Sequence, residues 1–148
     1  MPMNMLLTMA LLATAPPAAS ESARHPAWLT GNWGDVSSGR GRNVDCGDHT
    51  IVHYAGGYYE LIDQMGTWEY RNGSICTRTL IEDDGTNSSY RPGALTCQRV
   101  KPTARGVAME WNGRWTNMER CGAVGKPDAR TMRLVDRAER RRVGSRRR

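Results

Sequence analysis

Residues 66–77, GTWEYRNGSICT, carry the strongest indication of the fold in this 148-residue chain. Asn72-Gly73 separates two short runs of β-forming residues, and Asn-Gly favours a tight hairpin turn because both central residues of that turn need positive φ. A hairpin centred there places Trp68 opposite Thr77 on the neighbouring strand. The stretch therefore predicts two adjacent antiparallel strands whose register is set by the turn.

A second Asn-Gly pair, Asn112-Gly113, predicts another hairpin and places Trp115 opposite Glu110. Segments rich in β-branched and aromatic residues alternate with turn residues over most of the chain. These segments are 28–35, 49–55, 58–64, 66–71, 74–82, 94–101, 105–111 and 114–120. They predict an all-β domain over residues 28–122, a small antiparallel up-and-down barrel of about eight strands, with a small sandwich as the alternative. In a barrel this tight, side chains are expected to fill the interior.

The chain contains four cysteines, Cys46, Cys76, Cys97 and Cys121. An even number of cysteines in a short exported chain predicts disulfides, here two. Cys76 and Cys97 have their midpoint inside the loop predicted at 83–93, so they can face each other on adjacent antiparallel strands. The favoured pairing is therefore Cys76–Cys97 with Cys46–Cys121, among the three pairings that four cysteines allow.

The N-terminus has the composition of a targeting segment. Residues 1–20 contain no charged side chain and include the apolar run 5–15, which is too short to cross a bilayer as a helix but suits a secretory signal. We predict a signal peptide at 1–20, a polar leader at 21–27, and a periplasmic or secreted protein. The alternative is a disordered N-terminus on a cytosolic protein.

The positive charge is confined to one end of the chain. Residues 130–148 hold nine arginines against Asp136 and Glu139, a net charge of +7, whereas residues 21–129 have a net charge of −1. We therefore separate a basic tail, 123–148, from the body. The tail is predicted either as a short helix, at 128–142, or as disordered chain. It is the part expected to contact anionic surfaces, and no specific nucleic-acid partner is predicted.

Three short motifs carry a resemblance. Gly31-Asn32-Trp33 on the first strand, Gly66-Thr67-Trp68 in the centre and Arg120-Cys121-Gly122 at the end resemble small exported bacterial proteins of calycin or lipocalin-like shape, a group with no agreed activity. More distantly, the layout resembles the barrels of bacterial metalloprotease inhibitors. The resemblance covers residues 28–122.

The resemblance also implies a structural role for two residues. In lipocalins the first-strand Trp packs across the closed end of the barrel, under an Arg from near the last strand. Here those residues would be Trp33 and Arg120, or Arg114 in its place. The contact would be a cation–π interaction worth about 0.5 to 2 kcal/mol.

Few residues are candidates for chemistry. His49 and His53 would share a strand face but lie about 13 Å apart, too far for one metal ion, so they are interpreted as polar surface or strand-end residues. Residues 39–42, Gly-Arg-Gly-Arg, are interpreted as a mobile loop, with anion binding through backbone N–H groups as the weaker alternative. No metal site and no cofactor are predicted.

Aromatic residues are the best candidates for an interaction surface. Three of them surround Gly56-Gly57, at a hairpin tip expected to be exposed, and clustered exposed aromatics mark binding surfaces. The candidate ligand or interaction residues are Tyr54, Tyr58, Tyr59, Trp68 and Trp115. The alternative is that most aromatics at this spacing form the core.

These observations predict a non-enzymatic binding module, a monomer that binds an unknown protein or a small apolar ligand through one end of the barrel. The alternative is an inhibitor of a secreted hydrolase, of protease or lysozyme type, that inserts residues 20–27 or a hairpin tip into a cleft. An enzyme is not expected, because the sequence has no identifiable nucleophile–base pair or metal cluster.

Overall fold

The computed structural model describes residues 20–37, 43–47 and 49–147, and within them the chain forms two helices and ten strands. The strands are β1 (Gly31–Ser37), β2 (Asn43–Val44), β3 (Ile51–His53), β4 (Tyr58–Leu61), β5 (Gln64–Arg71), β6 (Ser74–Asp83), β7 (Ser88–Tyr90), β8 (Thr96–Pro102), β9 (Gly106–Trp111) and β10 (Arg114–Arg120). The helices are α1 (Glu21–Arg24) and α2 (Ala129–Ser145). The predicted signal segment up to residue 19 and the 39–42 loop lie outside the described residues.

Eight of the strands close into a barrel. Strands β1, β3, β4, β5, β6, β8, β9 and β10 pair with their neighbours in that order, and β10 pairs with β1, all antiparallel. The all-β up-and-down barrel predicted from the sequence is thus confirmed. Two short strands lie off the barrel: β2 pairs with β1, and β7 pairs with β6 inside the stretch predicted as a long loop.

The two Asn-Gly turns set the predicted registers. Trp68 pairs with Thr77 across β5 and β6, and Trp115 pairs with Glu110 across β9 and β10. Asn72 and Gly73 have φ of 51° and 77°, which is the left-handed region that a type I′ turn needs.

The barrel interior is filled by side chains. The core cluster consists of buried residues from the strands and from the segment before β1: Leu29, Trp33, Ile51, Tyr59, Trp68, Ile75, Val100, Val107, Met109 and Met118. Trp33 and Trp68 are its largest members, and each is almost completely excluded from solvent. The interior is therefore a packed core, as the small barrel size predicts.

Both disulfides join the predicted partners. Cys76 and Cys97 are register partners on β6 and β8, and their Cα atoms lie 4.0 Å apart. Cys46, just after β2, is bonded to Cys121 at the end of β10, with a sequence separation of 75 residues. This second bond links the first strand region to the last. Disulfides persist in oxidising compartments, so the two bonds fit an oxidising environment.

The basic tail forms a helix that packs on the outer wall of the barrel. Val135 and Ala138 of α2 are buried against Met65, Leu80 and Ile81 of β5 and β6, which forms a second hydrophobic cluster. The disordered alternative is thereby excluded for residues 129–145, and the helix extends three residues beyond the predicted end at 142. Within the described residues, no helix is long and apolar enough to cross a bilayer.

Polar contacts fix the start of this helix. The carboxylate of Asp128 accepts a hydrogen bond from the backbone N–H of Thr131 at 2.7 Å, which caps the helix. The hydroxyl of the buried Thr131 donates to Glu60 on β4 at 2.8 Å, and the other carboxylate oxygen of Glu60 accepts from Tyr54. The helix is therefore held by both an apolar cluster and a hydrogen-bond network.

Candidate binding surfaces

Trp33 and Arg120 meet at one end of the barrel, in the arrangement that the resemblance implies. The Trp33 ring is 1% exposed, and its indole N–H donates to the carbonyl oxygen of Leu29 at 3.0 Å. The Arg120 guanidinium lies 4.9 Å from the ring centroid and donates to the carbonyl oxygens of Ala27 and Thr30. Arg120 thus ties the chain before β1 to the last strand, which is a structural role.

The polar leader packs against the barrel. Its His25 follows α1, and the ring Nε2 donates to the carbonyl oxygen of Trp68 at 2.8 Å, while Nδ1 lies 2.6 Å from a carboxylate oxygen of Glu21. Gly57 makes room for this ring, since a Cβ at that position would lie 2.5 Å from Nε2. Residues 21–25 are therefore a docked turn of helix and not an extended arm.

The predicted exposed cluster of tyrosines does not form. Tyr59 is 6% exposed and belongs to the core, so the prediction of exposure is wrong for this residue. Tyr58 is partly buried because it packs against the hydrophobic cluster under α2, and its hydroxyl donates to Asp136 of α2 at 2.9 Å. Tyr54 is tied to Glu60, and burial together with that carboxylate raises the pKa of its hydroxyl. The docked helix, which the tyrosine prediction did not take into account, covers part of this region.

His53 lies in the core, and its interpretation as a polar surface residue is wrong. Its ring lies 5.1 Å from the Trp68 ring and 5.9 Å from the Tyr59 ring, measured between centroids. Burial lowers the pKa of His53 to about 3, so the ring is neutral at physiological pH. Its Nδ1 has no hydrogen-bond partner among the described residues. His49, by contrast, is exposed.

Of the predicted interaction residues, Trp115 alone is well exposed. Alternation along β10 puts Met118 in the core and Trp115 on the outer face, where it is 41% exposed. Lys101 and Arg99 of β8 flank the indole, with Lys101 Nζ at 4.3 Å and Arg99 Cζ at 5.5 Å from the ring centroid. Glu110 of β9 holds Arg99 through two hydrogen bonds. We call these four residues the Trp115 face.

A second exposed feature is a polar groove that sequence reasoning missed. It lies between the outer surface of β5 and β6, the Gly56-Gly57 turn and the last turns of α2, with a volume of about 390 Å³. Its charged lining residues are Arg24, Arg71, Arg78, Arg142, Arg146, Glu69 and Glu139. We call it the arginine groove. The sequence pattern could not reveal it, because Arg78 and Arg142 come together only when α2 docks.

Within the residues that the structure describes, no three histidine, cysteine or acidic side chains lie close enough together to bind a metal ion. Comparison with protein-family models, with curated proteins and with solved structures found no match to this chain.

Proposed function

We propose that this chain is a non-enzymatic binding module that acts in the periplasm or outside the cell and recognises a protein partner through the Trp115 face. The observation that carries the proposal is an exposed indole on the outer face of the sheet with two cationic groups within 5.5 Å of its ring centroid. Tryptophan, tyrosine and arginine are the side chains most enriched among residues that dominate protein–protein binding energy.

The packed interior argues for a surface site. A pocket for a small molecule usually has a volume of about 300 to 1,000 Å³. Here the space inside the barrel is occupied by side chains such as Trp33, Trp68, Met109 and Met118, each no more than 2% exposed. A small apolar ligand would have to displace them. The outer face needs no such rearrangement.

The charges around Trp115 define the partner's chemistry. Lys101 and Arg99 place two positive groups beside the ring, and Glu110 neutralises only one of them. The matching surface is an apolar recess for the indole with acidic residues on its rim. Such complementarity accelerates association and suppresses wrong partners.

Export is supported by two independent features. The apolar segment 5–15, followed by small residues, has the length of a secretory signal core. Two disulfides, with no free cysteine among the described residues, fit an oxidising compartment.

The alternative of a hydrolase inhibitor that inserts its leader gains no support from the leader's conformation. Residues 21–24 are helical, and His25 is bonded to both Glu21 and the backbone of Trp68. An extended, cleft-filling leader would have to break these contacts. We therefore place binding on the Trp115 face and not on the leader.

The test is a capture experiment from the periplasmic or secreted fraction with purified protein as bait. Trp115→Ala is compared with Val143→Ala, a matched control because Val143 on α2 is similarly exposed, at 39%. If Trp115 dominates the interface, its loss weakens the partner's affinity by at least about 30-fold, which corresponds to about 2 kcal/mol. The proposal requires one protein retained by the wild type and by Val143→Ala but lost by Trp115→Ala. Equal recovery on both variants would refute it.

A further inference from the structure

We propose that the arginine groove binds a small, freely diffusing phosphate- or sulfate-type oxyanion. The site lies on β5, β6 and α2, so it is separate from the Trp115 face on β8 to β10 and does not depend on the function proposed there. The inference is carried by the convergence of arginines from different elements in one groove.

The lining of the groove is strongly positive. It holds five arginines against two glutamates. Three of the five arginines are paired with a carboxylate: Arg142 with Glu139, Arg71 with Glu69, and Arg24 with Glu21 just outside the groove. Arg78 and Arg146 form no ion pair with a carboxylate in the described part of the chain. The groove thus contains guanidinium groups whose positive charge is not neutralised locally.

Two arginines of the groove, one unpaired with a carboxylate and one paired with Glu139, are held in place before any ligand arrives. Arg78 Nη1 donates to the carbonyl oxygen of Gly93 at 2.9 Å, which orients the guanidinium from strand β6. Arg142 is fixed by Glu139 through two contacts on α2. Preorganised donors lose little conformational entropy on binding, so their hydrogen bonds translate more fully into affinity.

The arginines also repel one another. Burial and the nearby charges of Arg142 and Arg146 lower the pKa of Arg78, even though Glu139 acts in the opposite direction. A bound anion would relieve this repulsion. Guanidinium groups suit phosphate and sulfate because their planar N–H groups can bind two oxygens at once. A carboxylate can also bind one guanidinium through its two oxygens, but it has no further oxygens for a second arginine, and a chloride ion has none.

The volume of about 390 Å³ sets the ligand's size. It accommodates an oxyanion together with part of a small molecule that carries it, and its lining is confined to one part of β5 and β6, the segments beside them and the last turns of α2. A polymer backbone would need a row of such positions. The geometry therefore favours a single oxyanion group.

The experiment is calorimetric titration of the full chain with inorganic phosphate and with sulfate, against chloride at matched ionic strength. Arg78→Gln and Arg146→Gln remove groove charges. Arg133→Gln is the matched control, because Arg133 is an exposed arginine of the same helix that does not line the groove. We expect saturable binding of phosphate and sulfate, weakened at least 10-fold by either groove variant and unchanged by the control.

Three outcomes would overturn the proposal. The first is the absence of saturable binding to either oxyanion. The second is equal weakening by Arg133→Gln, which would indicate a general electrostatic effect. The third comes from phosphatidylglycerol vesicles: binding to them that free phosphate does not displace would assign the groove to a lipid surface. Arg146→Gln changes an exposed side chain at the C-cap of α2, directly after the last helical residue, so it keeps the test valid if Arg78→Gln fails to fold.

Discussion

The packing of α2 on the barrel can be tested by one methyl-deleting substitution, Val135→Ala. Val135 is 1% exposed and lies against Met65, Leu80 and Ile81. Removing two methyl groups costs about 1.6 kcal/mol in transfer free energy. A residual cavity of about 50 Å³ further destabilises the fold by about 1.2 kcal/mol. The higher helix propensity of alanine stabilises the variant by about 0.6 kcal/mol. The free energy of unfolding should therefore fall by about 2 kcal/mol.

Val143→Ala provides the control on the same helix. Val143 is 39% exposed, so its truncation leaves no cavity and should change the free energy of unfolding by no more than about 0.5 kcal/mol. Urea unfolding followed by tryptophan fluorescence and by circular dichroism at 222 nm measures both variants. The rate of trypsin cleavage after the arginines of α2 is a local measurement, because a docked helix is cleaved more slowly than an undocked one. Equal stabilities and equal cleavage rates for the two variants would refute the docked helix.

Three further predictions concern the barrel itself. Arg120→Ala should lower the free energy of unfolding by about 1 to 2 kcal/mol, because the cation–π contact with Trp33 and the bonds to backbone carbonyls are lost; unchanged urea midpoints would contradict this. Burial lowers the pKa of folded His53 to about 3 from 6.5 in the unfolded chain, so below pH 6.5 the unfolded state binds one more proton and stability falls as the pH falls. His53→Phe should remove about 1.4 kcal/mol per pH unit from the slope measured by urea unfolding between about pH 6 and 4, and identical slopes would argue against a neutral buried ring. Replacing Cys46 and Cys121 with alanine opens a loop of 75 residues and should cost about 4.5 kcal/mol of unfolding free energy in the chain-entropy model; a loss below about 1 kcal/mol in the same assay would count against that model here.

The parts of the fold that the sequence predicts best depend on local chemistry. Asn72-Gly73 and Asn112-Gly113 specify turns in which both residues have positive φ, and the turn then sets every pair along the hairpin. The Cys76–Cys97 pairing follows from chain position, since the two residues are equally far from the centre of the predicted 83–93 loop, and in the fold they are direct partners across β6 and β8. The turns and the Cys76–Cys97 pair can be predicted without knowing how segments far apart in the chain pack against each other.

The parts that the sequence could not predict depend on long-range packing. Tyr59 and His53 are buried because β3 and β4 turn those side chains inward, and no local pattern distinguishes them from exposed strand residues. Met65 and Leu80 point outward from the barrel. An apolar side chain there would be exposed to water unless a helix covers it. The sequence left the tail as either a helix at 128–142 or disordered chain, because the charge of the nine arginines after residue 129 competed with a short apolar stripe.

The docked helix changes how the charge of this protein must be interpreted. In the sequence, a nearly neutral body is followed by a strongly basic tail, and the obvious experiment is to delete the tail. In the fold, the tail places Arg142 and Arg146 beside Arg78 of the body and also covers the apolar wall formed by Met65 and Leu80. A deletion would remove positive charge and expose a hydrophobic surface together, so weakened binding could not be assigned to either cause. Single substitutions at Arg78 and Arg146, which leave the apolar contacts of α2 intact, separate the electrostatic contribution from the stability of the helix.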